Sequence, residues 1–210
     1  MSYSTQAMVV LVTWSVLMAL YAVNRYGCQI RFSRNPIVVD LVTPAPRAGT
    51  FLSRTGTLVV FLANIATLGL LLFSWLFPVW GGALGILRIV LPISVQAVGG
   101  ALFVLCTCVG LLVLLYNANY TPLYRDLRGR YVITTEGPYR RVRHPRYAAE
   151  AALIIALFLF TGFWTPLLGL LAWPAMYFQA LAEEELLLSL APEAYGAYRQ
   201  RTGMFFLKLR

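Results

Sequence analysis

The stretch AALIIALFLFTGFWTPLLGLLAWPAMYFQALA, residues 151–182, runs for 32 residues without a charged side chain. One helix needs only about 20 residues to cross the hydrocarbon core of a bilayer, so this run is too long for a single span. Gly162, Pro166 and Pro174 interrupt it, and the segment TGFWTP at 161–166 has the composition of a turn. The run therefore predicts a tight helical hairpin made of two short spans.

The rest of the chain is also apolar. Its 210 residues are 60% hydrophobic and 12% charged, whereas a soluble domain carries about a quarter charged residues. Three further charge-free runs, near 6–23, near 57–77 and within 89–116, are long enough to cross a membrane. We therefore predict an all-α integral membrane protein with five transmembrane helices, the first of which is a retained helix and not a cleaved signal peptide.

The basic residues predict the orientation. Sixteen of the 17 lysines and arginines lie in segments 24–56, 117–147 and 199–210, which leaves Arg88 alone between the second and third spans. Because cytoplasmic loops carry an excess of Lys and Arg, five spans with the N-terminus outside and the C-terminus in the cytoplasm fit this pattern. We attribute the net charge of +9 to topology and to contact with membrane lipids, and we expect no nucleic-acid partner.

The chain lacks the marks of a transporter or a metalloprotein. The predicted spans contain no ionisable acid or base, whereas ion pathways are normally marked by such groups. Cys28, Cys106 and Cys108 do not make a disulfide framework, and one histidine cannot supply a histidine-based metal centre. We expect free thiols, no metal, and ionisable chemistry confined to the cytoplasmic ends of the helices.

The most charged of these ends is EGPYRRVRHPRYAAE, residues 136–150, which contains four arginines and the only histidine. Proline is well suited to the first position of a helix, so Pro145 predicts that His144 lies at or near the N-cap of the fourth span. The start of a helix attracts anions, and Arg141 and Arg143 strengthen that attraction.

Residues around the His-Pro step add to this pattern. Gly137 allows close approach of the backbone, and Tyr139 and Tyr147 supply aromatic faces. The stretch thus suits a small anionic or zwitterionic molecule with a planar ring. Taken alone, the stretch is more typical of a cytoplasmic flank followed by a proline-initiated helix.

A second cluster, Glu183 to Glu185, follows the fifth span. Successive helical residues differ by about 100° in direction, so at most two of the three can face one site. Glu183 shares a face with Gln179, and Glu185 is predicted to be solvated or paired with a loop arginine. Carboxylates opposite a basic loop suit a cationic cofactor, and they are also typical of the solvated end of a membrane helix.

The order of these motifs resembles the isoprenylcysteine carboxyl methyltransferase family, and membrane phospholipid methyltransferases look similar over the same stretch. The likeness consists of GPYRRVRHPRY, an apolar hairpin, a Glu-Glu pair followed by leucines, and Y-x-x-Y-x-x-R-T, and it covers roughly 115–202. It implies transmembrane helices and a cytoplasmic loop at 1–114, followed by a methyltransferase-like cofactor-binding region at 115–210. It also implies an integral membrane enzyme that uses S-adenosylmethionine at the cytoplasmic surface, with a lipophilic or small methyl acceptor as partner.

The resemblance further implies site residues. Matched position by position, the cofactor-binding residues are Ile133, Thr134, Gly137, Tyr139, His144, Tyr147, Glu183 and Glu184. Arg143 is added because a guanidinium beside a helix start suits the cofactor's carboxylate. Glu183 and Gln179 occupy the catalytic positions. Prenylcysteine enzymes of the family carry an arginine where this chain has Gln179, and an amide cannot offer a guanidinium fork to a carboxylate. We therefore expect a lipid amine, a small thiol or another apolar nucleophile as the acceptor.

Two other functions fit parts of the sequence. Membrane sterol reductases, which use NADPH, resemble this family in the same C-terminal region, and the loop arginines suit an additional phosphate. A non-catalytic scaffold or lipid-binding protein explains the apolar helices and basic loops through attraction to anionic lipid. Neither alternative explains the order of the histidine, the acidic pair and the tyrosines as directly as a methyltransferase does.

Overall fold

The computed structural model describes residues 1–23, 36–45, 51–117 and 127–208. In chain order these ranges contain α1 (Tyr3–Ala22), β1 (Ile37–Ala45), α2 (Phe51–Leu76), α3 (Pro78–Gly81), α4 (Ile93–Tyr116), β2 (Leu127–Ile133), α5 (Pro145–Thr161), α6 (Trp173–Leu190) and α7 (Pro192–Arg201). Short 3-10 helices occupy Gly82–Leu87, Gly137–Arg140 and Thr165–Ala172.

Three helices of the described ranges are long and apolar enough to cross a membrane. They are α1, the part of α2 from Thr55 to Leu76, and α4, with mean hydropathies of 1.6, 2.2 and 2.6. Large apolar side chains on their outer faces, such as Phe61 and Val98, are exposed, as lipid-facing side chains are. Three of the five predicted spans therefore correspond to helices that are long and apolar enough to cross a membrane, and the number of spans, the crossing by α5 and α6 and the orientation of the termini stay predictions.

The turn of the predicted hairpin is present. Helix α5 ends at Thr161, and Gly162 follows in the left-handed region with φ 75°. A Cβ at Gly162 would lie 2.2 Å from the carbonyl oxygen of Ile89, so only glycine fits. The second arm of the hairpin begins with the 3-10 helix Thr165–Ala172. A 3-10 helix rises about 2.0 Å per residue, so it is longer than an α-helix with the same number of residues.

A two-stranded sheet corrects the all-α prediction. Strand β1 pairs antiparallel with β2, with Ile37 opposite Ile133 and Ala45 opposite Leu127. Its residues IVVDLVT are rich in β-branched side chains, which favour strands. The sequence predicts only a basic cytoplasmic loop, without regular structure, for segment 24–56 between the first two spans. The structure instead shows a strand at 37–45, while 24–35 and 46–50 lie outside the described residues.

Close packing of α4 on α5 organises the centre of the molecule. A Cβ at Gly99 would lie 2.4 Å from the backbone nitrogen of Phe160, so glycine lets the two helices approach closely. The buried rings of Phe103 and Phe160 stack beside it, with centroids 6.4 Å apart. This contact fixes the position of α5, whose first residues belong to the candidate site.

The other end of α5 carries its own polar contacts. Arg88 Nε donates to the carbonyl oxygen of Thr161 at 2.8 Å, its Nη2 donates to the side chain of Gln6, and its guanidinium lies 4.2 Å from the ring centre of Tyr3. Arg88 and His144 are therefore separated by the 17 residues of α5, about 25 Å. The predicted orientation places Arg88 outside and His144 at the cytoplasmic surface, so it requires the two residues to lie at opposite ends of α5.

Candidate functional site

The candidate site begins where the chain enters α5. His144 is the N-cap of this helix and Pro145 its first residue, which confirms the predicted helix start. The C-terminal segment runs alongside, because the backbone N–H groups of Arg143 and His144 donate to the carbonyl oxygens of Gly203 and Met204, each at 2.9 Å. The start of α5 is thus held by backbone hydrogen bonds from a segment about 60 residues later.

His144 lies between the two acidic residues at the end of α6. Its Nδ1 is 3.6 Å from Glu183 Oε2, and its Nε2 is 3.3 Å from Glu184 Oε1. All three side chains are buried. The Nε2 contact does not have hydrogen-bond geometry, so this nitrogen is buried without a hydrogen-bond partner. The structure thus brings the histidine and both predicted carboxylates to one point.

Glu183 is held by neutral donors. The Tyr147 hydroxyl donates to its Oε1 at 2.5 Å, and Gln179 Nε2 donates to the same oxygen at 2.9 Å. Burial raises the pKa of Glu183, while His144, Tyr147 and Gln179 oppose that rise. A buried carboxylate with a raised pKa, hydrogen-bonded by neutral donors, is a candidate for binding or chemistry.

Glu184 has the opposite environment. Arg143 Nε is 2.6 Å from its Oε1 and Nη2 is 3.2 Å from its Oε2, while Arg199 Nε lies 3.3 Å from Oε2. Burial alone would raise the pKa of Glu184, but contacts with His144 and Arg143 hold it at about 2. Glu184 is therefore ionised at neutral pH and committed to an internal ion pair.

This ion pair gives Arg143 a different contact from the predicted one. We expected its guanidinium to strengthen an anion site at the start of α5. It instead contacts Glu184 and the carbonyl oxygens of Arg199 and Thr202, and so joins α5, α6 and α7. The exposed position of Glu185 agrees with the prediction that only two of the three glutamates turn inward.

Gly137 and Tyr139 form a neighbouring wall. Gly137 has φ 58°, and a Cβ there would lie 2.5 Å from the ring of Tyr116, so glycine is required. The Tyr139 hydroxyl accepts a hydrogen bond from Asn117 Nδ2 at 3.2 Å, and its carbonyl oxygen accepts one from the Tyr198 hydroxyl. Burial raises the pKa of Tyr139, the bond from Asn117 lowers it, and the charge of Glu183 raises it further. The Tyr139 ring is therefore neutral.

Ile133 and Thr134 lie further along this wall. Ile133 packs with the buried rings of Tyr195 and Tyr198, and Thr134 donates to the carbonyl oxygen of Tyr116 at 3.0 Å. Ile133 thus joins β2 to α7, and Thr134 joins the segment after β2 to α4. Their predicted role in cofactor binding stays a prediction.

An apolar groove between α4 and α5 adjoins the cluster. It has a volume of about 620 Å³. Its lining comprises Leu105, Cys106, Val109, Leu112, Tyr116, Gly137, Pro138, Val142, Pro145, Ala148, Ala149, Ala152 and Phe205. Phe205 connects the groove to the cluster, because its ring also packs on that of His144 with centroids 5.8 Å apart. We did not predict the groove, although the alanines on one face of α5 are its signal in the sequence.

Sequence reasoning also missed three residues near the site. Phe205 gives no sign of its position because the C-terminal segment has no regular pattern. Asn64 and Glu150 form a hydrogen bond between α2 and α5, and Glu150 was visible as the last residue of the quoted stretch 136–150.

The helices and the cluster define a membrane protein with a buried polar site at one end of a helical hairpin. Residues 94–196 match the family model described as phospholipid methyltransferase. The matched segment includes α4, β2, the hairpin and every predicted site residue. Over this segment the chain is similar to the phospholipid methyltransferase family, and the resemblance read from the motifs is confirmed. A search of curated proteins gave no match.

Proposed function

We propose that the protein is a membrane methyltransferase that uses S-adenosylmethionine and acts on a lipophilic or small apolar acceptor by in-line methyl transfer. The observation that carries the proposal is the meeting of His144 with Glu183 and Glu184, inside a segment that belongs to a methyltransferase family. The proposal includes a site that faces the cytoplasm, where the soluble cofactor is available.

The residues of the cluster fit this cofactor. S-adenosylmethionine, when bound, supplies an electrophilic methyl group on a positively charged sulfur. Glu183 suits its amino group or ribose hydroxyls, because a buried carboxylate accepts hydrogen bonds. His144 Nε2 is a buried polar atom without a hydrogen-bond partner, and such atoms are rare unless a ligand or water satisfies them. Gly137 lets the ring of Tyr116 pack against the backbone beside the cluster.

The surrounding side chains position these groups. Tyr147 and Gln179 orient the carboxylate of Glu183. We therefore assign Gln179 a positioning role in addition to the catalytic role predicted from the sequence. The rings of Tyr147 and Phe205 hold the imidazole of His144. Burial of the cluster excludes water, which favours a transfer that disperses positive charge, and alignment supplies most of the acceleration. We propose no covalent enzyme intermediate.

The groove is the proposed place for the apolar part of the acceptor. Its lining is almost entirely apolar, and a volume of about 620 Å³ is within the range of small-molecule sites. Phe205 lines the groove and also packs against His144, so an apolar molecule in the groove lies next to the proposed cofactor site.

Transfer of a radiolabelled methyl group tests the proposal. The protein in lipid nanodiscs is given labelled S-adenosylmethionine and a panel of lipid amines, thiols and farnesylated cysteine. We expect labelling of an amine or thiol and none of the farnesylcysteine carboxylate. His144→Ala and Glu183→Gln lower the rate by about tenfold or more, as expected for lost hydrogen bonds to charged groups. Glu185→Gln, a change of the exposed neighbour, leaves it unaltered.

Thermal stabilisation separates the proposal from its rivals. We expect S-adenosylhomocysteine to raise the melting temperature of the purified protein and NADPH to leave it unchanged. A response to NADPH alone would assign a reductase. If neither ligand raises the melting temperature and no acceptor in the panel receives a labelled methyl group, a non-catalytic scaffold is favoured.

A further inference from the structure

The C-terminal turn, residues 203–208, directs neighbouring side chains to opposite sides. Phe205 is buried, and its ring centroid lies 5.8 Å from that of His144. The next two residues face outward, since Phe206 is 78% and Leu207 58% exposed. Two large apolar side chains thus lie on the surface, directly beside a ring that packs on the only histidine of the chain.

Hydrogen bonds hold the C-terminal turn in place. The backbone N–H groups of Arg143 and His144 donate to two of its carbonyl oxygens. At its other end, Lys208 Nζ donates to the carbonyl oxygen of Gln200 in the last turn of α7, at 2.6 Å. A Cβ at Gly203 would overlap the backbone later in the same turn, so this position requires glycine. The two exposed apolar side chains therefore belong to an ordered turn, which presents them in one direction.

Ring contacts place the C-terminal turn beside the apolar part of the hairpin. The rings of Trp173 and Tyr177 on α6 lie 5.4 and 6.1 Å from that of Phe205, between centroids. These two residues precede Glu183 by ten and six positions, and both belong to the charge-free run 151–182. The intervals correspond to about 15 and 9 Å along the helix, away from the carboxylates. The chain therefore passes from α7 back toward the predicted membrane, where Trp and Tyr rings are typical of the interface.

Basic side chains surround the C-terminal turn. Arg201 and Lys208 are exposed at its two ends. Arg140 and Arg141 are exposed on the neighbouring loop, which accepts a backbone hydrogen bond from Gly203. Apolar side chains flanked by Lys and Arg are typical of segments that lie at the boundary between headgroups and acyl chains, and each basic residue near that boundary adds attraction to anionic lipid. The charge and the depth of the turn therefore both fit a bilayer surface.

We propose that the C-terminal turn is a lid seated in the membrane. Its two exposed apolar side chains insert among lipid chains at the surface of the bilayer, and the basic side chains around it contact negatively charged headgroups. This seating keeps Phe205 against His144 and so limits access to the buried cluster. The partner is a bilayer that contains anionic lipid. The inference goes beyond the proposed function and does not depend on it.

Spin labelling tests the insertion. The full-length protein, with its three cysteines replaced by alanine, carries the label at Phe206→Cys or at Glu193→Cys and is placed in nanodiscs of phosphatidylcholine and phosphatidylserine. Glu193 is an exposed residue at the start of α7 and gives the aqueous control. We expect the label at 206 to collide with oxygen more than with a water-soluble nickel chelate, and the label at 193 to do the reverse. Equal access of the chelate to both labels would overturn the proposal.

Chemical modification of His144 tests whether the turn acts as a lid. Because the chain has one histidine, its reaction with diethyl pyrocarbonate is a site-specific measure of access, provided that the protein is purified without a histidine tag. Phe206→Asp introduces a charge that opposes insertion, and we expect it to speed the modification about fivefold or more by local opening. Ala194→Asp adds the same charge at an exposed position of α7 and should have no effect. Phe205→Ala, which removes the covering ring, should also speed the reaction.

Lipid composition completes the test. We expect His144 of the wild type to react at least about threefold faster in nanodiscs of phosphatidylcholine alone than in those with phosphatidylserine, because the headgroup contacts are lost. If the rate is the same in both lipids and in Phe206→Asp, the turn is not a membrane-seated lid and the proposal is wrong. Both measurements are made without cofactor. Failure to bind S-adenosylhomocysteine would therefore contradict the proposed function and leave the result for the lid unchanged.

Discussion

Arg143 and Glu184 form a two-pronged ion pair, with Nε 2.6 Å from Oε1 and Nη2 3.2 Å from Oε2. The pair joins the start of α5 to the end of α6. Glu183, one residue earlier, is held by the neutral donors Tyr147 and Gln179. The two adjacent acids thus have different environments, since Glu184 is ion-paired with Arg143 and Glu183 is hydrogen-bonded by neutral side chains. This division follows from helical geometry, which turns neighbouring side chains by about 100°.

The ion pair predicts a large loss of stability for Arg143→Gln. Removing one partner of a buried ion pair costs up to about 3–5 kcal/mol of unfolding free energy, and the nearby Arg199 offsets part of this loss for Glu184. The loss is measured by reversible unfolding in mixed micelles. Arg141→Gln is the matched control because Arg141 is exposed. Equal stability of the two variants would show that the pair does not hold the hairpin.

The pH dependence of stability reports on Glu184. Its folded-state pKa of about 2 lies below the ordinary value of 4.5, so its contribution is present above pH 4.5 and is lost as the pH falls toward 2. We expect Glu184→Gln to be less stable than the wild type at pH 6, and the difference to shrink as the pH falls below about 4.5. A difference in melting temperature that is constant over this range would contradict the assigned pKa.

Gly137→Ala tests the wall beside the cluster. A side chain at φ 58° and 2.5 Å from the Tyr116 ring has no room, so we expect a loss of about 1–3 kcal/mol and weaker cofactor binding. The control is Gly110→Ala on α4, where no atom lies within 4 Å of the added Cβ. That change should be neutral or stabilise by up to about 1 kcal/mol. If Gly137→Ala is as stable as the wild type, the close contact between Gly137 and the Tyr116 ring does not constrain the chain.

Tyr147→Phe tests how Glu183 is tuned. The hydroxyl of Tyr147 lowers the pKa of Glu183 against the effect of burial, so its removal should raise that pKa further. If ionised Glu183 binds the cofactor, affinity for S-adenosylhomocysteine falls as the pH drops, and the fall should begin at a higher pH in the variant. Binding isotherms between pH 5 and 8 measure this shift. Superimposable pH profiles would mean that Glu183 does not bind the cofactor.

Local chemistry explains which parts of the structure the sequence could predict. A proline at the first helical position placed His144 at the N-cap, and helical rotation separated the inward Glu183 and Glu184 from the exposed Glu185. A left-handed glycine at Gly162 marked the turn of the hairpin. Each of these signals lies within a few residues of the feature that it predicts.

Features that depend on distant segments were not predictable in this way. Strand β1 pairs with β2 about 90 residues later, and neither has an alternation long enough to reveal the pairing. The partner of Arg143 is 41 residues away, and that of Asn64 is 86 residues away. Phe205 reaches His144 through backbone hydrogen bonds of a segment without regular structure. Tertiary packing alone decides these contacts.

The proposed function requires that His144 and Glu183 form part of a cofactor site. Equilibrium binding of radiolabelled S-adenosylmethionine to the purified protein in nanodiscs measures whether they do. We predict saturable binding to the wild type and to Glu185→Gln, no displacement by NADPH, and at least about tenfold weaker binding to His144→Ala and Glu183→Gln. Binding that is absent from the wild type, or equal in all four proteins, would contradict the claim.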